Sequence, residues 1–195
     1  METSRDSVRE IVAFWVEAVG PKGWYNPTDA LDETIRERFE PLWEKGRDGF
    51  LAKWLCDAEG TLAYSILLDQ FPRNMFRGSG KSFATDGAAL AGVKIGVDRN
   101  WDLRIDEPQR QFFYLPMMHS ERLADQERCV RLIKERMPEG GAENLLHAKA
   151  HREVIRRFGR FPHRNEALLR ESTPAETAFL EEGGYGAVVR KLQDG

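Results

Sequence analysis

Three places in this 195-residue chain set reactive side chains at spacings that chemistry can use. His147 and His151 stand one helical turn apart, a spacing open to a metal ion. The zinc-protease pattern would need glutamate in the second position, where Ala148 stands, and no Asp or Glu is an evident third ligand. No metal is therefore expected, and both imidazoles read as hydrogen-bonded residues on the apolar side of a helix. His119-Ser120-Glu121 contains the parts of a Ser/His/acid relay, but sequence neighbours at a helix start rarely form one, so Ser120 reads more simply as a cap. The third place is double. Leu67-Leu68-Asp69-Gln70-Phe71-Pro72-Arg73-Asn74 and Phe158-Gly159-Arg160-Phe161-Pro162-His163-Arg164-Asn165 echo each other, with their prolines 90 residues apart.

Proline lacks an amide hydrogen and disfavours α geometry in the residue before it, so both echoing runs predict helices that stop at Phe-Pro. Helix ends crowded with Asp, Gln, Arg, His and Asn gather polar groups, and the two turns are expected to lie near each other. The candidate acid–base residues are Asp69, His119, Glu121 and His163. The candidate ligand-binding residues are Arg73, Asn74, Arg110, Gln126, His151, Arg160 and Arg164, the arginines being suited to clamp a carboxylate or phosphate. Gly80-Lys81-Ser82 resembles the end of a phosphate-binding loop, but Met75 stands where the first glycine belongs and a helical run precedes it. No cofactor is expected.

The elements that must position these residues are helical. Val8, Ile11, Val12, Trp15 and Val19 form an apolar stripe stopped by Gly20-Pro21. Leu31, Ile35, Phe39 and Leu42 form a second, with Pro41 a kink or an end. Phe50, Leu51, Trp54 and Leu55 suggest a short third helix, and Leu62, Ile66 and Leu67 a fourth ending at Pro72. A glycine-interrupted helix spans about Ser82 to Ile95, and Pro108 opens one that Pro116 closes. Leu123, Val130 and Met137, with Ile133 beside them, make the next stripe, and His147, His151, Val154, Ile155 and Phe158 the one after. Thr173-Pro174-Ala175-Glu176 is a capping box with proline at the first helical position, and Gly183-Gly184 ends that helix. No alternating strand is present. The fold class is all-α, a single domain over residues 1–195 or two intimate halves.

Composition agrees with a globular chain: 41% hydrophobic and 31% charged residues, and no apolar run that spans a bilayer. Met1 to Asp6 lacks the order of a signal peptide. Cys56 and Cys129 read as packing residues rather than a disulfide. A cytoplasmic, reduced setting without membrane contact is expected. Residues 147–170 carry seven Lys/Arg against two Glu, whereas residues 29–44 carry six Asp/Glu against two Arg. These surfaces pair with each other or with solvent, or the basic one binds an anion. Nucleic acid is disfavoured, since the whole chain has a net charge of −3.

The strings Phe14-Trp15, Ile35 to Phe39, Leu67 to Asn74, Arg110 to Glu121 with Gln126, and His151 with Phe158 to Asn165 resemble a bacterial family of unknown function, family 924. The resemblance runs from about Val8 to Leu180. It implies a TPR-like α-helical superfamily fold, helix pairs stacked antiparallel into an α-α superhelix, and it implies no reaction. The family usually shows Leu-Gly-Arg before its Ser/Thr cap, where this chain has Leu168-Leu169-Arg170. Leucine is costly where φ is positive, so the turn before Thr173 is a point of departure.

Three functions fit these residues. The first is a binding module for an anionic small molecule or acidic peptide, since stacked helix pairs present a curved face. The second is a small-molecule enzyme in which Asp69 or Glu121 is the base, His119 or His163 its partner, and arginines anchor the substrate. The third is a structural charge network, Asp69 pairing with Arg73 or a distant arginine. The oligomeric state is not encoded in any motif.

Overall fold

The computed structural model describes residues 4–194; Met1 to Thr3, part of the segment read for a leader, lie outside them. Among the described residues every regular element is a helix, and none is long and apolar enough to cross a membrane. Two compact units divide the chain, Met1–Pro116 and Met117–Gly195.

In the first unit α1 (Ser4–Val12) runs into a π-helical segment, Ala13–Val19, and then α2 (Gly20–Trp24). Val8, Ile11, Phe14 and Trp15 are buried on it, and the break falls at Gly20, whose φ of 64° suits glycine. Next comes α3 (Asp29–Arg47), capped by Thr28, whose hydroxyl accepts from the Leu31 amide at 3.1 Å. Its buried stripe is Asp32, Ile35, Phe39, Trp43 and Gly46, so Trp43 takes the place expected of Leu42. Pro41 neither ends nor splits this helix. Phe50 is exposed, and the helix expected around it is a single 3-10 turn, Ala52–Trp54, with Leu51 and Trp54 turned inward.

The fourth helix departs most from expectation. α4 (Ala58–Ser65) continues through a π segment, Ile66–Gln70, into α5 (Phe71–Met75), so the chain stays helical through Pro72. The physical reason is local. Phe71 donates its amide to Ile66, five residues back, and the carbonyl of Leu68, which a residue with an amide hydrogen at position 72 would cap, instead accepts from the Thr85 hydroxyl at 2.6 Å. Thr85 in turn accepts from the Trp43 indole at 3.1 Å. A borrowed hydroxyl thus replaces the bond that proline removes.

α6 (Asp86–Asp98) packs on α4. Its glycines mark close approach rather than weakness: a Cβ on Gly96 would stand 2.8 Å from the Phe113 ring. Pro108 is followed by a 3-10 turn, Gln109–Phe113, instead of an α-helix. Pro116 does not close it but sits second in α7 (Leu115–Met118), where its missing amide costs nothing.

In the second unit α8 (Leu123–Arg136) packs on α9 (Ala142–Phe158), which also carries α11 (Gly184–Gln193). The buried face of α8 is Asp125, Gln126, Cys129, Leu132 and Ile133; Leu123 is exposed, so the heptad line read from Leu123 to Met137 is displaced. Ser120 is not the cap of α8, which begins after Arg122; its hydroxyl donates to Asp125 at 2.8 Å and accepts from the Arg122 amide. Cys129 is buried as expected, whereas Cys56 is exposed in the first unit, at the turn before α4. α10 (Pro174–Glu181) has the predicted capping box: Glu176 donates its amide to Thr173, and its carboxylate accepts the Thr173 amide at 2.7 Å.

The two Phe-Pro strings are not structural copies. The second helix ends at Gly159, left-handed at φ 70°, and Phe161 is extended (φ −91°, ψ 107°) before a 3-10 turn, Pro162–Arg164. The first continues as helix. They share composition, not conformation.

Candidate functional site

In the first unit the Leu67–Asn74 string builds a closed charge network. Asp69 is fully buried in the π segment, accepts from the Gln70 amide and lies 3.2 Å from Arg73. Arg73 also holds Asp86 with two hydrogen bonds of 3.0 Å. Burial works against the charge on Arg73, but Asp69 and Asp86 outweigh it and hold its pKa above the ordinary value. Asn74 donates to Asp32 at 2.8 Å, and Arg77 grips the same carboxylate through Nε and one terminal nitrogen. Asp86 and Asp32 thereby tie α5 to α6 and α3. Arg110 donates to the Ile105 carbonyl at 2.8 Å and lies 3.6 Å from Glu107.

The second unit gathers the remaining candidates. The framework is the loop from Gly159 to Thr173. Glu121, just ahead of α8, accepts the Phe161 amide at 2.8 Å and both terminal nitrogens of Arg170 at 2.8 and 3.0 Å. Arg170 also donates to the Phe161 carbonyl and, through Nε, to Asn165 at 3.0 Å. Burial pushes the Glu121 carboxyl up, but the Arg170 and Phe161 hydrogen bonds and Arg164 outweigh it and leave the pKa below the usual range. Arg160 lies elsewhere on the loop: two hydrogen bonds of 2.6 and 2.8 Å fasten it to Glu176, the capping-box residue. That pairing and the Thr173 amide hold the Glu176 pKa at about 2.

Two imidazoles stand against Phe161, and a third, His119, lies beyond His151. His151, on α9, packs edge-on against Phe161 at 5.4 Å, faces His119 at 6.2 Å, and touches the Tyr185 ring of α11 at 4.6 Å. His163 lies 5.6 Å from Phe161, and the Arg164 guanidinium covers the Phe161 ring at 4.5 Å. His151 donates from Nδ1 to the His147 carbonyl at 2.9 Å. Both His147 and His151 are only partly buried, less so than their apolar face predicts. Burial, with His119, Arg164 and His163 nearby, lowers the His151 pKa to about 3. His163 keeps an exposed edge; crowding by the protein and the neighbouring Arg164 and His119 hold its pKa below the usual imidazole range, with Glu121 opposing. The His151 and His163 rings are therefore neutral near pH 7, with the Arg164 guanidinium beside them.

Gln126 is fully buried, its amide nitrogen donating to the carbonyls of Met118 and Ser120 at 2.6 Å each. It fixes the backbone that carries His119. Sequence reasoning missed Arg170, which carries the Glu121 clasp, and Tyr185, whose hydroxyl bonds His147 Nδ1. The signal for Arg170 was present beside it. Leu169 adopts φ 53°, the left-handed turn that aims Arg170 back at Glu121. Among the described residues no group of three or more His, Cys, Asp or Glu is placed to hold a metal ion.

Comparison with known proteins agrees on lineage and is silent on chemistry. A family model described as "Bacterial protein of unknown function (DUF924)" matches residues 11–184. A solved structure, "Structure of Protein of Unknown Function ATU0120 from Agrobacterium tumefaciens", is similar with a TM-score of 0.86 and 41% identity, over 92% of this chain and 99% of that one. No curated protein matches.

Proposed function

We propose that this chain, which belongs to the bacterial DUF924 family, is a binding module for a small anion, received by the imidazole cluster of its second unit. The observation that carries the reading is the setting of His151 and His163. Both lie beside Phe161 within the field of Arg164, and Glu121 is engaged by Arg170 and the Phe161 amide. A positive potential around neutral hydrogen-bonding rings favours a ligand that brings negative charge. Arg73 and Arg160 serve the fold in this reading, since carboxylates engage both.

Titration calorimetry of the full chain with phosphate, acetate and succinate tests it, alongside His163→Ala. His163 is exposed, so its removal should leave folding intact while weakening anion binding several-fold. Equal affinity in both proteins would place the anion elsewhere.

A second reading, an acid–base enzyme at the same place, is favoured by one feature. Glu143, His147 and Tyr185 form a carboxylate–imidazole–hydroxyl chain, with Glu143 3.1 Å from His147 Nε2, and the Tyr185 ring ends against His151. Burial and Glu143 push the Tyr185 pKa up, so its hydroxyl stays protonated and acts as a donor.

A further inference from the structure

The lone pair of His151 points to the chemistry of the ligand. Its Nδ1 hydrogen is committed to the His147 carbonyl at 2.9 Å, which places the acceptor lone pair of the neutral ring on Nε2. Among the described residues Nε2 has no hydrogen-bond partner. It is not one of the sealed, partnerless polar atoms of the molecule either, and the ring is partly exposed. An accessible acceptor thus sits in the positively surrounded cluster, held in place by the edges of Phe161, His119 and Tyr185.

We propose that His151 Nε2 selects an anion that carries its own proton, so that the site takes a protonated oxyanion such as hydrogen phosphate in preference to a bare one such as sulfate. This rests on the anion-binding reading above. A fully deprotonated anion would press oxygen lone pairs against the nitrogen lone pair, and the pairing could be rescued only by protonating His151. The ring resists that, since the protein crowds most of it and the Arg164 guanidinium stands near. The hydrogen must therefore come from the ligand: its O–H donates to Nε2, while its charge answers the field of Arg164. Phosphate keeps at least one P–O–H near neutral pH and sulfate keeps none, so two ions of similar size and shape differ in the one group that matters.

The test is calorimetric titration of the full chain at about pH 7 and constant ionic strength, with inorganic phosphate and with sulfate. Phosphate should bind about tenfold more tightly or better, the scale of one charge-assisted hydrogen bond gained against one repulsion avoided. In His151→Phe, which keeps a ring between Phe161 and Tyr185, phosphate affinity should fall to that of sulfate. Should that variant not fold, the ring-nitrogen shift of His151 Nε2 in the parent serves: phosphate should move it toward the hydrogen-bonded value and sulfate should not. Equal binding of the two ions, or selectivity surviving in His151→Phe, overturns the selectivity and leaves the anion-binding reading in place. Binding of neither ion overturns both.

Discussion

Glu121 and Arg170 meet through two hydrogen bonds of 2.8 and 3.0 Å, although 49 residues separate them in the chain. The same carboxylate accepts the Phe161 amide and the same guanidinium donates to the Phe161 carbonyl. One ion pair thus holds both backbone polar groups of the residue around which the histidines gather. Replacing either partner leaves the other partly buried and unpaired. Arg170→Ala and Glu121→Gln should each destabilise by about 1–3 kcal/mol, and the double variant by less than their sum. Urea unfolding of the set gives the coupling directly; additive losses would mean that the clasp is not a unit.

Leu169 presents a cleaner case of backbone strain. It is 95% exposed at φ 53°, so its side chain contributes little packing while its Cβ crowds the left-handed turn. Leu169→Gly should raise stability by about 0.5–1 kcal/mol, the relief of the turn exceeding the extra freedom glycine has when unfolded. Leu169→Ala keeps the Cβ and should change little. Identical melting temperatures for all three proteins would contradict the assignment.

Thr85 makes up for Pro72. Its hydroxyl caps the Leu68 carbonyl and accepts from Trp43, all in the buried core of the first unit. Thr85→Val should cost about 2–4 kcal/mol, since it strands a buried acceptor and a buried donor. In a Pro72→Ala background the amide hydrogen returns and can satisfy Leu68 itself, so the same replacement should cost less. An unchanged cost would show that the two positions act independently.

These three cases show what the sequence makes legible. The capping box at Thr173 was readable because its partners lie within one turn, and the helical class was readable because apolar spacing is local. Proline at 72 was misleading because its relief comes from Thr85, 13 residues on, and no local rule anticipates a borrowed hydroxyl. The stripe on α8 was displaced because Gln126 is buried by its bonds to backbone carbonyls, a polar reason that apolar periodicity does not count. In the candidate site, His119, Glu121, His151, His163 and Arg164 were all marked by residue type, and the second unit does bring them together. Arg170 escaped because the feature that aims it is a positive φ at a leucine.

Stability should respond to pH through His151. Its folded pKa, about 3, lies below the unfolded imidazole value of 6.5, so folding favours the neutral ring. Its contribution is complete above pH ~6.5 and is lost as pH falls toward ~3, because the unfolded chain takes up the proton first. Glu176 adds a loss of the same sign at lower pH, from its ordinary value of 4.5 toward about 2. Urea midpoints in the parent should therefore decline from pH 6.5 downward. In His151→Phe the decline should be shallower, with His163, whose pKa of about 4 also lies below the unfolded value, and the carboxylates supplying what remains. Parallel curves would refute the assignment of His151 as a ring held neutral by the fold.

The most direct measurement of the central claim is a histidine-ring NMR titration over pH, with and without a saturating anion. In the free protein His151 and His163 should titrate below the ordinary imidazole range. With phosphate bound, both pKa values should rise, because negative charge beside a ring favours its protonated form. Ring pKa values that are ordinary in the free protein, or that do not move when anion is added, would contradict an anion site at this cluster.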